Sequence, residues 1–330
     1  RGSFEGEGTS GSPYLIKTAA DLVNLAELVN EGRSPYADAG KYYQLENNLD
    51  LSAYGVNYDS GKGWRPIGKY ISPSDNTKAF KGIFNGNGKV ISGLYIDRSS
   101  ESYQGLFGYV DGATVCNLGV TDVNIIGSYY VGGVVGQAKS GTVVENCYST
   151  GSVRGIGDNI GGVVGDMTDS GTVENCYSSA SVSGSDSVGG VVGYVNGSGI
   201  VQNCVALNSS VSLTAIATSI GRVAGNVSGS ATTLSHNYAF SGIPGTWSNK
   251  GLAAKDGADV TAQDLFDSNF WTTTSYWNSG SWNDPSIWIT ADNKLPVLKG
   301  LAGQNGDGGL HLLVRDIQYA TVTLSNDNFT

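Results

Sequence analysis

A chain of 330 residues that is 39% hydrophobic and only 15% charged can build a core and is not a disordered tract, although 49 of its residues are glycine. Its formal net charge of −10, with no basic run, argues against nucleic acid as a ligand, because phosphate binding needs clustered Lys and Arg. No apolar stretch is long enough to span a bilayer as a helix, and the opening RGSFEGEGTSGSPYLI is not a signal peptide. Abundant Gly, Ser, Thr, Asn and Tyr with little Lys favours an exported chain whose targeting segment has been removed over a cytosolic one.

The first expected element is a helix. In TAADLVNLAELVNEG, Thr18 and Asp21 are placed as a variant of the capping box, while Leu22, Leu25, Ala26 and Val29 share one helical face and Gly32 supplies the stop. Helix formers are scarce elsewhere, so a single amphipathic helix is expected to act as a lid on a β-structure.

From Tyr103 the chain repeats itself, and that periodicity decides the architecture. YQGLFG begins at Tyr103, VGGVVG at Val131, IGGVVG at Ile160, VGGVVG at Val188 and a degraded IGRVAG at Ile220, in steps of 28, 29, 28 and 32 residues. Between them runs a second series: TVCNLGV from Thr114, VVENCYS from Val143, TVENCYS from Thr172, IVQNCVA from Ile200 and LSHNYAF from Leu234. A third, weaker series follows as NIIG, GSVRG, ASVSG and SSVSL. Three short β-prone segments per period of about 28 residues, with no helical pattern between them, predict an all-β parallel β-helix: a solenoid with three strands per coil.

Stacked coils superimpose equivalent residues at the 4.7–4.9 Å strand spacing. Leu118, Cys147, Cys176, Cys204 and Tyr238 are expected in one column, Asn117, Asn146, Asn175, Asn203 and Asn237 in the next, and Leu106, Val134, Val163, Val191 and Val223 in a third. A column of Leu, Cys and Tyr reads as apolar filling, since free Cys behaves as a small buried hydrophobe. Disulfides are the alternative, but stacked β-carbons lie somewhat beyond the roughly 3.5–4.5 Å a disulfide prefers. Zinc sites favour short Cys-x-x-Cys pairs, which do not occur. Cys116 aligns with Glu174 and belongs to another column. The Asn column reads as an amide ladder, because Asn tolerates left-handed backbone at a corner and can donate and accept from coil to coil. The glycines of GGVVG allow a tight corner or close backbone approach; phosphate cradling is the poorer reading because no Lys or helix-forming run follows. Arg222 stands where glycine is usual, so the coil there is expected to be distorted or to carry a loop.

The ends of such a stack need covers. In VTAQDLFDSNFWTTTSYWNSGSWNDPSIWI, Thr261 and Asp264 frame a short helix start, and Trp271, Trp277, Trp282 and Trp288 are expected to close the last coil. Their rival role is a sugar-stacking platform, with Trp277 and Trp282 as the candidate ligand-binding residues. Residues 1–300 are thus expected to form the β-helix with its caps. Residues 301–330 read as a Gly-rich linker, GLAGQNGDGGL, and the start of a further β module, where the chain stops short of a natural end.

Taken in order, YLIKTAADLVNLAELVNEG, YYQLENNLDLS, WRPIG, FKGIFNGNGKVISGLYI, GLFGYV, GATVCNLGV and GGVVG resemble the GLUG-repeat proteins of bacteria over roughly residues 12–300. That resemblance implies export, a β-helical stalk or recognition module on an adhesin-like surface protein, and no activity of the repeats themselves.

The enzyme alternative is a carbohydrate-active β-helix, a polysaccharide lyase or glycoside hydrolase, which needs carboxylates and a base converging in a groove. The candidates within the repeats are few: Arg154, Asp158, Asp166, Asp169, Asp186 and Arg222. Asp158, Asp166 and Asp169 sit in or beside turns, where Asp is expected for backbone reasons. His236 holds the position of Glu174, and neither it nor His311 has the context of a triad. NGDGG near Asp307 lacks the remaining ligands of a calcium loop. The preferred reading is therefore a noncatalytic surface or secreted module with no cofactor, metal or catalytic residue. It would be a monomeric part of a larger chain that binds host or matrix glycan or protein, or spaces other domains.

Overall fold

The computed structural model describes residues 4–278 and 281–299; the expected linker and β module at 301–330, with Asp307 and His311, lie outside them. Three parallel sheets make the walls of a solenoid. The longest has 16 strands, and its main path begins at Tyr14–Ile16 and runs through Tyr42–Leu45, Ile83–Ser92, Thr114–Gly127 and Val143–Gly155 to Ala258–Val260. A five-stranded sheet runs from Phe107–Asp111 to Ala224–Val227, and a four-stranded one from Val131–Gly132 to Ile220–Gly221. The protein is an all-β parallel solenoid with few helices, as the periodicity predicts.

The expected three segments are distributed differently among the walls. VVENCYS and GSVRG fuse into one strand, Val143–Gly155, whereas IGGVVG splits into Ile160–Gly161 and Val164–Met167 on two different sheets. The split follows from the first glycine of the motif. A Cβ at Gly132, Gly161 or Gly189 would lie about 2 Å from the carbonyl oxygen three residues on, so only glycine permits that corner.

Register confirms the columns in the middle of the stack. Val144 faces Val115 and Val173, and Val173 faces Val201. Cys147 faces Leu118, and Cys147, Cys176 and Cys204 have no exposure, as does the Val134, Val163, Val191 and Val223 series. All four cysteines are thiols. Each column thiol donates to the carbonyl two residues before it and, more weakly, to the coil behind: Cys176 Sγ lies 3.2 Å from Glu174 O and 3.7 Å from Val144 O. Burial pushes the thiols of Cys176 and Cys204 well up, so these are inert filling.

The Asn ladder forms as expected up to Asn203. Asn117, Asn146, Asn175 and Asn203 all have φ between 52° and 55°, and each Nδ2 donates to the amide oxygen behind it at 3.1–3.3 Å, starting from Asn85. The expected last rung is wrong by one residue. Thr233 faces Ile200 and Tyr238 faces Val205, so His236 continues the Asn column at φ 53° and Asn237 enters the Cys column. Ser235, not His236, holds the position of Glu174. Asn237 tolerates the interior because its amide is fully used, donating to Val201 O at 2.8 Å and accepting from Cys204 N at 3.0 Å.

Covers seal both ends of the interior core. The helix Ala19–Asn30 carries the Thr18/Asp21 capping box and buries Leu22, Leu25, Ala26, Leu28 and Val29. The other end departs from expectation: residues 241–257 close it, with Ile243 buried and Trp247 packed on the core. Arg222 explains the irregularity. In the coils before it a Cβ at the same position would meet the next coil's carbonyl at 2.1–2.3 Å, whereas Arg222 meets no regular coil ahead among the described residues. Its buried guanidinium donates to Asp256 O at 2.9 Å and Gly257 O at 3.1 Å and pairs with Asp259 at 2.7 Å.

The tryptophans do not close the last coil; they form a second core on its flank. Tyr148 and Tyr177 alternate outward from the inward cysteines and stack at 5.0 Å, leaving an apolar outer column. Gly119 below makes room for the Tyr148 ring, whose Cζ a Cβ there would meet at 2.5 Å. Trp271, Trp277, Trp282 and Trp288 cover that column as a lateral strap. The strap is bolted to the Asn ladder: Asn278 N donates to Asn203 Oδ1 at 2.7 Å, and Trp288 Nε1 to Asn146 Oδ1 at 3.3 Å.

Replacing Asn175 by Ala removes two ladder bonds and leaves a Cβ residue in left-handed backbone, an expected loss of about 2–3 kcal/mol. Asn175→Gly restores the backbone freedom and should fall between Ala and wild type in denaturant-unfolding midpoint; equal losses for Ala and Gly would show that the backbone conformation contributes nothing.

Candidate ligand groove

The sequence candidates scatter over the solenoid. Trp277 and Trp282 are 4% and 0% exposed, their indole N–H groups bonded to Phe270 O and Asn203 O, so neither offers a ring face to solvent. Arg154 is exposed on the long sheet, and Asp169 occupies a turn at φ 65°. Asp158 is raised by burial and by the neighbouring Asp186, whose own oxygens accept from Ser187 Oγ and Ser219 N. Asp166 is buried and accepts from Gln137 at 2.9 Å and Asn159 at 2.7 Å; burial nonetheless pushes its carboxyl up to about 6. His236 bonds Ser235 through Nδ1 at 2.7 Å.

The recess that could hold a ligand lies at the other end of the chain. A groove of about 550 Å³ opens between the helix Ala19–Asn30 and the loops at 58–70 and 98–104. The helix contributes Val23, Ala26 and Asn30. Asn30 pins the facing loop by donating to Pro66 O at 2.9 Å and accepting from Gly68 N at 2.8 Å. Gly68, at φ 89°, lets that loop press against Tyr109 O, where a Cβ would fall at 2.1 Å.

The charges that line the groove balance, Glu27, Glu31 and Glu101 against Arg65, Lys69 and Arg98, and Arg65, Arg98 and Glu101 are held by ion pairs. Asp59 pairs with both Arg65 and the buried Arg98, and Glu101 with Lys62 at 2.7 Å and Arg98 at 3.3 Å. The Arg65 and Arg98 contacts hold the Asp59 carboxyl far below the usual range, against its burial. Burial raises Glu101, but Lys62 and Arg98 outweigh it and the net shift is downward. Both carboxylates therefore stay ionised at neutral pH and are poor proton donors.

Aromatic rings continue the groove along the coils. Tyr70 stacks on Tyr103 at 4.6 Å and Tyr103 on Tyr130 at 4.8 Å, with Tyr109 edge-on to the first two. Tyr103 and Tyr130 have φ of 63° and 57°, positions one residue before the glycine motif that Asn159 and Ser187 fill in the next coils. Sequence reasoning missed this site because its residues lie mostly upstream of the regular repeats. The recurrence of Tyr immediately before QGLFG and VGGVVG was the available signal.

Stacked parallel coils, a ladder of buried amides and a flank recess define the class: a repeat solenoid of parallel β-coils. Within that class, the family described as the GLUG motif matches residues 127–154, so the chain carries the GLUG motif. Two named relatives share parts of it. The "Putative Gly-rich membrane protein" of Evansella cellulosilytica is 42% identical over 118 residues, 35% of this chain and 12% of that protein. The "Halomucin" of Haloquadratum walsbyi is 34% identical over 155 residues, 47% of this chain and 2% of that protein. The chain thus spans only a small fraction of either. A solved structure named a "putative immunoglobulin A1 protease" from Bacteroides ovatus shares the fold, with a TM-score of 0.62 at 20% identity over 89% of this chain and 94% of that one. Among the described residues, no helix is long and apolar enough to cross a membrane.

One electrostatic feature lies outside the groove. Glu145 stacks in register on Glu174, and burial, then the Glu174 charge, hold its carboxyl above the usual range. The folded chain keeps this proton to higher pH than the unfolded chain, so its stabilising share is complete below the unfolded carboxylate pKa and is lost as pH rises. Glu145→Gln should be more stable than wild type at pH 7 by up to about 1 kcal/mol. In thermal melts the difference should vanish as pH falls through the carboxylate range; a difference independent of pH would contradict the pairing.

Proposed function

We propose that this chain is a noncatalytic, exported module of a larger surface protein, adhesin-like, which binds a glycan or protein ligand on its flank and spaces its neighbours. The observation that carries this is the groove beneath the helix Ala19–Asn30: a ready-built recess lined by as many cations as carboxylates, with Arg65, Arg98 and Glu101 held in ion pairs. Such a wall suits recognition, since the paired groups are fixed in direction, and it leaves Asp59 and Glu101 without a proton to give. The GLUG motif and the surface-type names of the two relatives support export.

The second reading is a hydrolytic β-helix, either a carbohydrate-active enzyme or a protease, as the solved structure of like fold is named. Asp166 favours it, because a carboxyl pushed up to about 6 can exchange a proton near neutral pH. Against it, both oxygens of Asp166 already accept from Gln137 and Asn159. Incubation of the pure chain with a polysaccharide panel and with immunoglobulin A1 should release neither reducing ends nor peptides. Cleavage that Asp166→Asn abolishes would replace the module reading with the enzymatic one.

A further inference from the structure

We propose that the groove between the helix Ala19–Asn30 and the Tyr70/Tyr103 stack is a binding site for a short neutral oligosaccharide. This rests on the module reading above and names the ligand class of that same recess. Its volume of about 550 Å³ falls within the roughly 300–1,000 Å³ of small-ligand sites. Three observations select the ligand.

The first is the charge balance. Three carboxylates, Glu27, Glu31 and Glu101, line the groove against three cations, Arg65, Lys69 and Arg98, and Asp59 and Lys62 behind them pair with Arg65, Arg98 and Glu101. A charged ligand of either sign would meet as many like charges as opposite ones, a cost that grows as the site is desolvated. Neutral hydroxyls avoid that cost.

The second is an orphaned acceptor. Gln104 lines the groove and is 4% exposed; its Nε2 donates to Ser102 O at 2.9 Å, but its Oε1 has no hydrogen-bond partner among the described residues. A buried acceptor left unpaired costs about 1–3 kcal/mol, so a ligand donor there recovers energy the free protein forgoes. A sugar hydroxyl supplies that donor and can in turn accept from a cation of the lining such as Arg65.

The third is the aromatic lining. Tyr58, Tyr70 and Tyr103 line the groove, and Trp64, buried with its N–H bonded to Leu106 O, forms its floor. Tyr103 has its ring faces covered by Tyr70 and Tyr130, so it is the half-buried Tyr58 and Tyr70 that combine an apolar ring with a hydroxyl, matching a sugar ring that shows C–H bonds on one face and hydroxyls at its rim. The Asn30 clamp fixes the loop in advance, which lowers the ordering cost of binding. A protein partner would instead need about 800 Å² of accessible surface on each side, more than this recess beside a helix presents.

Titration calorimetry on the intact chain tests this with cellotetraose, xylotetraose, maltotetraose and chitotetraose as neutral probes and tetragalacturonate as the charged one. At least one neutral probe should bind, and Tyr70→Ala and Gln104→Leu should each weaken it about tenfold, the loss of one good hydrogen bond or ring contact. Ile216→Ser, fully exposed and away from the groove, should leave it unchanged. Tyr70→Ala, at a half-buried rim position, keeps the result decisive if Gln104→Leu fails to fold. Binding of tetragalacturonate alone, no binding at millimolar probe, or binding that survives Tyr70→Ala overturns the proposal while leaving the module reading in place. Release of reducing ends from any probe overturns the module reading instead.

Discussion

In-register stacking of parallel coils is the constraint on which the rest of the protein depends. Each coil closes few hydrogen bonds within itself and takes its backbone partners from the coils on either side, so a residue's neighbours are set by the repeat interval more than by sequence proximity. Identical side chains are thereby forced into contact with their own kind. Where the residue is Asn or Cys the contact is favourable or neutral, and where it is Glu, as at 145 and 174, the same geometry brings like charges together. The columns are therefore selected residue by residue for what they do when superimposed.

That constraint also places the groove beside the N-terminal helix. The coils nearest the N-terminal helix are irregular: the chain between Leu49–Asp50 and Ile83–Ser92 departs into loops, and those loops meet the helix across a gap. Where periodicity breaks, the sequence can vary without disturbing two neighbours.

Much of the fold was legible in the sequence because the same letters recur at a near-constant step. The Cys and Asn columns, the capped helix and the anomaly at Arg222 all followed from spacing and side-chain chemistry. The slip at Asn237 had a physical origin: two adjacent columns both accept Asn there, one for its left-handed tolerance and the other because its amide can be satisfied inside. Letters alone could not choose between them. The strap was misplaced for a different reason. Strand alternation in NCYS puts Cys inward and Tyr outward, so Tyr148 and Tyr177 called for cover on the flank, but two tyrosines are a fainter signal than a column that recurs in every coil. The groove was the least legible part, because its residues come from loops outside the repeat and acquire meaning only when the helix is set against them.

The tryptophan strap has a consequence for how long this solenoid can be. It grips the stack at two fixed heights, Asn203 and Asn146, and Arg222 fills the column that any further regular coil would have to share. Gene duplication can lengthen most repeat arrays freely. Here an extra unit inserted between the two anchor points would draw them apart by one strand spacing, about 4.8 Å, and leave one of them unreached. The strap thus behaves as a ruler, and the number of coils beneath it can change only together with the length of the segment that measures them.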